Sequence, residues 1–271
     1  MIEFDDGTIK TKTLAGNEHN AFMIRHLFGG QSQPNIHCGV IKDASGIIGQ
    51  ELFASGVSNI MSGILLNGDT TTTVYYPHTA SENGWGTGIQ AYNPSATDCG
   101  ITITPYTEAG VVLTPVEDTI LGKKQYADLV SRLGFPVDTA WLKIDAASPI
   151  TGFELFANTN ILAGYTGVGI TGTEGIFAKL EKDGATGIAF VNIENSAAIV
   201  TLTAYNDSGA VITTETINLV AHEKAGGIAE NIFTEDISNA TYVTYSSDRE
   251  VVGSQINASS DGMMLDGLPG M

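Results

Sequence analysis

Basic side chains are scarce in this chain: 12 Lys and Arg stand against 30 Asp and Glu in 271 residues, a formal charge of -18. Such a field repels phosphate backbones and anionic lipid, so nucleic-acid binding is excluded first, while solubility and contacts with cations are favoured. Cysteine is scarcer still: Cys38 and Cys99 are the only two, and two thiols do not make a disulfide framework. No apolar run reaches the roughly eighteen residues of a membrane helix, so no membrane insertion is expected. Gly-x-Ser-x-Gly, phosphate-loop and EF-hand spacings are missing too.

What the chain does have is a repeat. Ala147-Ser148-Pro149-Ile150-Thr151-Gly152-Phe153-Glu154-Leu155-Phe156-Ala157 returns upstream as Ala44-Ser45-Gly46-Ile47-Ile48-Gly49-Gln50-Glu51-Leu52-Phe53-Ala54. It returns more loosely at Ser247 to Ala258, around Gly253. Gly49, Gly152 and Gly253 are 103 and 101 residues apart, and the turn glycines Gly7, Gly110 and Gly209 keep nearly the same period. Between these markers Met23 and Leu27, Leu129 and Leu133, Ile228 and Ile232 sit four apart, which predicts a short helix in each copy.

The phase is unequal. Residues 68–110 and 170–209 carry strand-like runs with no counterpart before residue 3, so three copies of one half-unit accompany two of the other. The expected organisation is a partial repeat over 1–68 and complete repeats over 69–169 and 170–271, joined at a Gly-rich segment between Gly164 and Gly175. With Met1 inside a strand-like stretch and no signal peptide in sight, this phase predicts a piece of a longer chain. The alternative is an open sheet edge that another subunit fills by strand addition, giving a homo-oligomer.

The middle copy predicts the local structure. Thr71–Tyr76 and Thr87–Tyr92 are rich in β-branched and aromatic residues, and Asn93-Pro94-Ser95 closes the second with turn chemistry. Cys99, Ile101 and Ile103 alternate with Gly100, Thr102 and Thr104, a strand with one buried face. Further strands are expected at 111–113, 116–121, 140–144, 152–157 and 161–165, with a helix over 126–133 stopped by Gly134 and Pro136. Seven short strands and one helical turn in about a hundred residues read as an all-β, immunoglobulin-like sandwich. A propeller blade would need an internal half-period, and none is visible.

On the array itself, the Trp141-Leu142-Lys143-Ile144 and Gly152-Phe153-Glu154-Leu155-Phe156 strands, and the run from Trp85 to Pro94, the chain resembles the tandem immunoglobulin-like repeats of large bacterial secreted and surface proteins. The resemblance implies a non-enzymatic, extracellular or cell-surface module used for spacing, presentation, adhesion or assembly, with a polysaccharide or surface protein as partner. The alternative is a carbohydrate-binding module, in which Trp85, Tyr75, Tyr76 and Tyr92 on adjacent strands would stack on sugar faces.

Other candidates weigh less. Gly167-Val168-Gly169-Ile170-Thr171-Gly172 spells a dinucleotide fingerprint but lacks a following helix, and reads as a flexible linker. His222-Glu223-Lys224-Ala225-Gly226 has Gly where a zinc helix needs its second His. His19 and His26 are spaced for a shared helix face. Acids at the turn tips, Asp5, Asp6, Glu108 and Asp207, have turn chemistry to explain them, with calcium between units as the alternative; no other cofactor is expected. Asn206, Asn239 and Asn257 open Asn-x-Ser/Thr triplets that read as coincidence. Cys38 and Cys99 fall at core-facing positions, which predicts buried free thiols, with a bridge between them as the alternative.

Overall fold

The computed structural model describes residues 1–54, 60–66, 68–169, 171–261 and 264–270. The chain is all-β, dominated by two seven-stranded sheets that curl over on themselves. Five short strands come first: β1 (Ile2–Phe4), β2 (Ile9–Lys10), β3 (Gly39–Ile41), β4 (Gln50–Ala54) and β5 (Met61–Leu65). They form a β2-β1-β3 sheet and a separate β4-β5 pair.

The first large sheet holds β6 (Thr71–Tyr76), β7 (Gly86–Tyr92), β8 (Cys99–Thr107), β9 (Val116–Ile120), β10 (Gln125–Leu129), β11 (Thr139–Ala157) and β12 (Leu162–Thr166). The second holds β13 (Gly172–Phe177), β14 (Ala185–Asn192), β15 (Ala198–Tyr205), β16 (Val211–Leu219), β17 (Lys224–Ile228), β18 (Tyr242–Ala258) and β19 (Leu265–Pro269).

One long strand organises each sheet. The front of β11 pairs with β6 and β8, its register shifts between Asp145 and Ile150, and its back pairs with β7 and β12. In the same way β18 pairs first with β13 and β15, then with β14 and β19. A strand that changes partners midway belongs to two layers, which is how one curled sheet encloses a sandwich-like core. The expected strands at 140–144 and 152–157 are therefore one continuous 19-residue element.

Alternation places the core. Val74, Tyr76, Ile89, Ala91, Cys99 and Ile144 meet inside the first sheet, and Phe177, Ile188, Phe190, Val200 and Tyr245 inside the second. Apolar burial of this kind contributes roughly 1.5–3 kcal/mol per large side chain. On β8 the alternation stops after Ile103, since Thr104, Pro105 and Tyr106 are all buried: beyond that point the outer face is covered by the second sheet. Two asparagines pin layer to layer. Asn93 Nδ2 donates to the carbonyls of Thr97 and Ile120, and Asn192 Nδ2 donates to those of Ser196 and Val220.

The expected helix over 126–133 is instead strand β10 followed by a single 3-10 turn, Val130–Arg132. The first members of the four-apart pairs, Met23, Leu129 and Ile228, are extended N-cap residues with exposed side chains. A short helical turn does begin directly after each, but the apolar spacing marks the strand-to-turn boundary and not a helix face. Val111–Leu113 forms no strand and contributes only a bridge from Val112 to Tyr106. The expected flexible linker is ordered by pairing: Gly167 N–H donates to Gly152 O, and Val168 exchanges two backbone hydrogen bonds with Tyr75. Ile170 lies outside the described residues.

The repeat glycine of β11 sits where no side chain fits. A Cβ on Gly152 would lie 2.3 Å from Gln90 O and 2.4 Å from Tyr76 Oη. Gly152→Ala is expected to cost about 1–3 kcal/mol in urea unfolding, whereas Gly100→Ala, with nothing within 4 Å of its Cβ, leaves the midpoint unchanged or raises it.

Candidate functional site

The four aromatic rings proposed from sequence do not share a platform. Tyr75 and Tyr76 are neighbours on β6 and point to opposite faces, as a strand requires. Tyr76 is fully buried, and its hydroxyl donates to Gln90 O at 2.7 Å, so it is unavailable to any ligand. Tyr75 packs with Tyr106, Trp141, Val191 and Val252 between the two large sheets. Tyr92 lies within electrostatic reach of Cys38, Glu3 and Asp5 in the N-terminal strands. Trp85 is half-buried, with its ring 6.4 Å from that of Phe156.

The remaining candidates are equally dispersed. Among the described residues, no three His, Cys, Asp or Glu side chains come together in a way that could hold a metal ion. Asp6 caps the Thr8 amide and Asp5 accepts from the His37 amide. His26 Nδ1 accepts from the Met23 amide at the 3-10 turn, and His19 has no place in that arrangement. His222 sits in a turn at φ 61°, followed by strand and not by a zinc helix. Cys38 and Cys99 are free; Cys99 is buried, while Cys38 is half-buried, its thiol pushed up to about 11 by burial and by the Asp5 carboxylate. Asn257 is buried and accepts from Thr186 Oγ1, and Asn206 Oδ1 holds its own turn.

The polar chemistry that the sequence reading missed is at the junction of the two sheets. Lys224, at the start of β17, donates from Nζ to His78 Nδ1 at 3.0 Å and to Ala140 O at 3.1 Å. To accept there, His78 must be neutral with its proton on Nε2. Burial, with Lys224 beside it, lowers the His78 pKa to about 3. Burial also lowers Lys224 to about 8, against the pull of Glu154 and Glu108.

Glu154 is the third member. It is fully buried on β11, neither carboxylate oxygen has a hydrogen-bond partner, and burial raises its pKa well above the ordinary value, with Lys224 and the His78 backbone acting the other way. The repeat explains the position. Glu154 aligns with Gln255 and His78 with Lys179, both 101 residues on. In the second sheet Gln255 Nε2 donates to Lys179 O and to Asn257 Oδ1. An uncharged donor suits the site, and Glu154 answers by holding its proton.

Around this cluster the junction is closely packed. Trp141, 1% exposed, donates from Nε1 to His222 O at 3.0 Å and stacks on Tyr106 at 3.9 Å with 5° between the planes. Lys224 N–H donates to Glu108 O, and Tyr165 Oη donates to Gly253 O. Gly110, at φ 81°, has room for no Cβ, which would lie 2.3 Å from Ala221 O. Two surface grooves, about 600 Å³ beside Glu117 and Asp145 and about 310 Å³ beside Thr71 and Gly167, are not lined by any of the three ionisable groups. His78 and Lys224 are only partly exposed, and their polar atoms are engaged across the join, an arrangement suited to holding the two sheets together.

No family model and no curated protein matches the chain. Among solved structures, Thermotoga maritima 1070 is 17% identical, over 36% of this chain and 93% of its own, with a TM-score of 0.33. A calcium-binding mutant of Bacteroides uniformis beta-glucuronidase 2 is 11% identical over 73% of this chain and 26% of its own, with a TM-score of 0.17. An FMN-binding beta-glucuronidase from Facaelibacterium prausnitzii L2-6 is 11% identical over 82% and 38%, also at 0.17. These scores are too low to carry an argument about fold or activity.

Stability should follow the buried groups. Between pH 6.5 and about 3 the unfolded chain binds a proton that folded His78 refuses, so stability rises with pH across that window. Above about 4.5 the folded state keeps the Glu154 proton that the unfolded chain releases, so this group lowers stability as pH rises. In denaturant titrations at several pH values, His78→Gln should flatten the acid limb, and the advantage of Glu154→Gln over wild type should widen from pH 4.5 upward. Because the aromatic rings are dispersed, Trp85→Ala should migrate like wild type in polysaccharide affinity gels; a retention specific to wild type would restore the carbohydrate reading.

Proposed function

We propose that the chain is a non-enzymatic spacer and assembly module of an extracellular or cell-surface array, built from copies of one immunoglobulin-like unit: a partial copy over 1–68 and complete copies over 69–169 and 170–271. The observation that carries this reading is the junction. The Lys224 ammonium, the Trp141 indole N–H and the Tyr165 hydroxyl each donate to a group of the other sheet. Buried polar groups with partners specify one arrangement of their elements, and a spacer needs one arrangement.

The repeated pairing order supports the copy relationship. β7 and β14 both pair with the back of the long strand and with β10 or β17, while β8 and β15 pair with its front and with β9 or β16. The placement outside the cell rests on the resemblance to bacterial surface repeats. Assembly would proceed through exposed strand edges, which take up further strands by backbone hydrogen bonding.

A rigid join couples unfolding. Calorimetry of the whole chain should show the two large sheets melting in one transition. Trp141→Phe, which removes only the indole donor and part of the stack, should cost about 1–3 kcal/mol and split that transition. Two separate transitions in wild type would contradict the spacer reading.

A further inference from the structure

The join between the two large sheets has a ring pair on one side and a turn on the other. Tyr106 and Trp141 are cross-strand partners, stacked at 3.9 Å, and they receive the turn 220–223 of the second sheet. The His222 ring lies 5.3 Å from that of Tyr106, the His222 carbonyl accepts from Trp141 Nε1, and the Ala221 carbonyl lies 2.3 Å from where Gly110 would carry a Cβ. The second sheet carries the same pair again. Tyr205 and Tyr242, 99 and 101 residues on, are cross-strand partners stacked at 5.0 Å with 4° between the planes. Beside them Gly209 repeats Gly110, φ 76° against 81°, but the space in front of it is open: a Cβ there would meet only the Tyr242 hydroxyl, at 3.9 Å. Both of these rings are partly exposed, whereas Tyr106 and Trp141 are buried.

The turn is repeated as well. In 220–223, Glu223 N–H donates to Val220 O, Glu223 Oε2 accepts from the Val220 amide and His222 stands at φ 61°. In 15–18, Glu18 N–H donates to Ala15 O, Glu18 Oε2 accepts from the Ala15 amide and Asn17 stands at φ 62°. Every residue of 15–18 is exposed. A third turn of this kind, 121–124 with Lys123 at φ 59°, is already seated: Lys124 Nζ donates to Asp5 O, the counterpart of Glu108, although Glu3 and Cys38 stand where the other copies have rings. The chain therefore seats this turn on the preceding copy twice, and among the described residues it leaves one such turn and one ring pair open.

We propose that copies of this chain join head to tail, the Tyr205–Tyr242 pair of one copy seating the 15–18 turn of the next. Asn17 then takes the place of His222 against the first ring, and the Gly16 carbonyl approaches Gly209 as the Ala221 carbonyl approaches Gly110. The two surfaces differ, so each contact leaves a turn free at one end and a ring pair at the other, and the association is open-ended. The inference rests on the copy relationship in the proposed function, but its readout is mass in solution and not cooperativity, so either can fail alone.

The test is sedimentation of the whole chain over a concentration series. The contact is small, so a mass that climbs past the dimer at high protein concentration is expected. Asn17→Pro, which forbids the positive φ, and Tyr242→Asp, which puts a charge on the seat, should each weaken self-association about tenfold or more. Mixed in equal amounts, the two variants should form a dimer that grows no further, because each keeps one working surface; a misfolded variant could not do this. A wild type monomeric up to its solubility limit, self-association that survives either substitution, or a mixture that stays monomeric would overturn the proposal.

Discussion

The structure depends on one constraint: a single long strand in each large sheet has to serve two layers. β11 and β18 leave one set of partners and join another within a few residues, and every other strand finds its place against one half or the other. Close packing at the turnover point demands glycine at 152, where the neighbouring backbone leaves no room for a methyl group. At 253 three aromatic rings lie just beyond a Cβ position, so the same residue serves a looser version of the same crossing. The repeat is strongest here in sequence because the geometry is least forgiving here.

The same strand delivers a polar side chain into the layer it has just joined. In the second sheet it is Gln255, whose amide satisfies a backbone carbonyl. In the first it is Glu154, which sits without a hydrogen bond near the neutral His78 and the sheltered Lys224. A carboxyl in that position is tolerable because it stays protonated and because a lysine from the next sheet closes over the site. The joint between the sheets is thus built on groups that each sheet by itself would leave poorly satisfied, which ties their stability together.

In the N-terminal strands the long strand is divided into β3 and β4, and the layer partners on one side are missing among the described residues. These strands still pack on the rest of the chain: Ile64 approaches Gly164, and the rings of Phe53 and Phe153 lie 5.6 Å apart. Ile41, Ile47, Ile48 and Leu52 stay exposed on and between these strands, and among the described residues β3 pairs only with β1 and β4 only with β5. Such edges are the part of a β protein most ready to take up another chain.

By itself the sequence determined the all-β class, the hundred-residue period, the alternating faces of β8 and β15 and the special status of Gly49, Gly152 and Gly253, because period-two burial and steric exclusion act between near neighbours and leave a local imprint. It marked the strand-to-turn boundaries at Met23, Leu129 and Ile228 but mistook them for helix faces, since a four-residue spacing fits both. The merging of two expected strands into β11, the pinning of layers by Asn93 and Asn192, the withdrawal of Tyr76 and Tyr75 into packing and the meeting of His78, Glu154 and Lys224 were decided only in three dimensions. Those residues are up to 146 positions apart. No local pattern records a contact made across the layers of a sheet or across the join between two of them, because the chain's own periodicity is blind to which face its neighbours will cover.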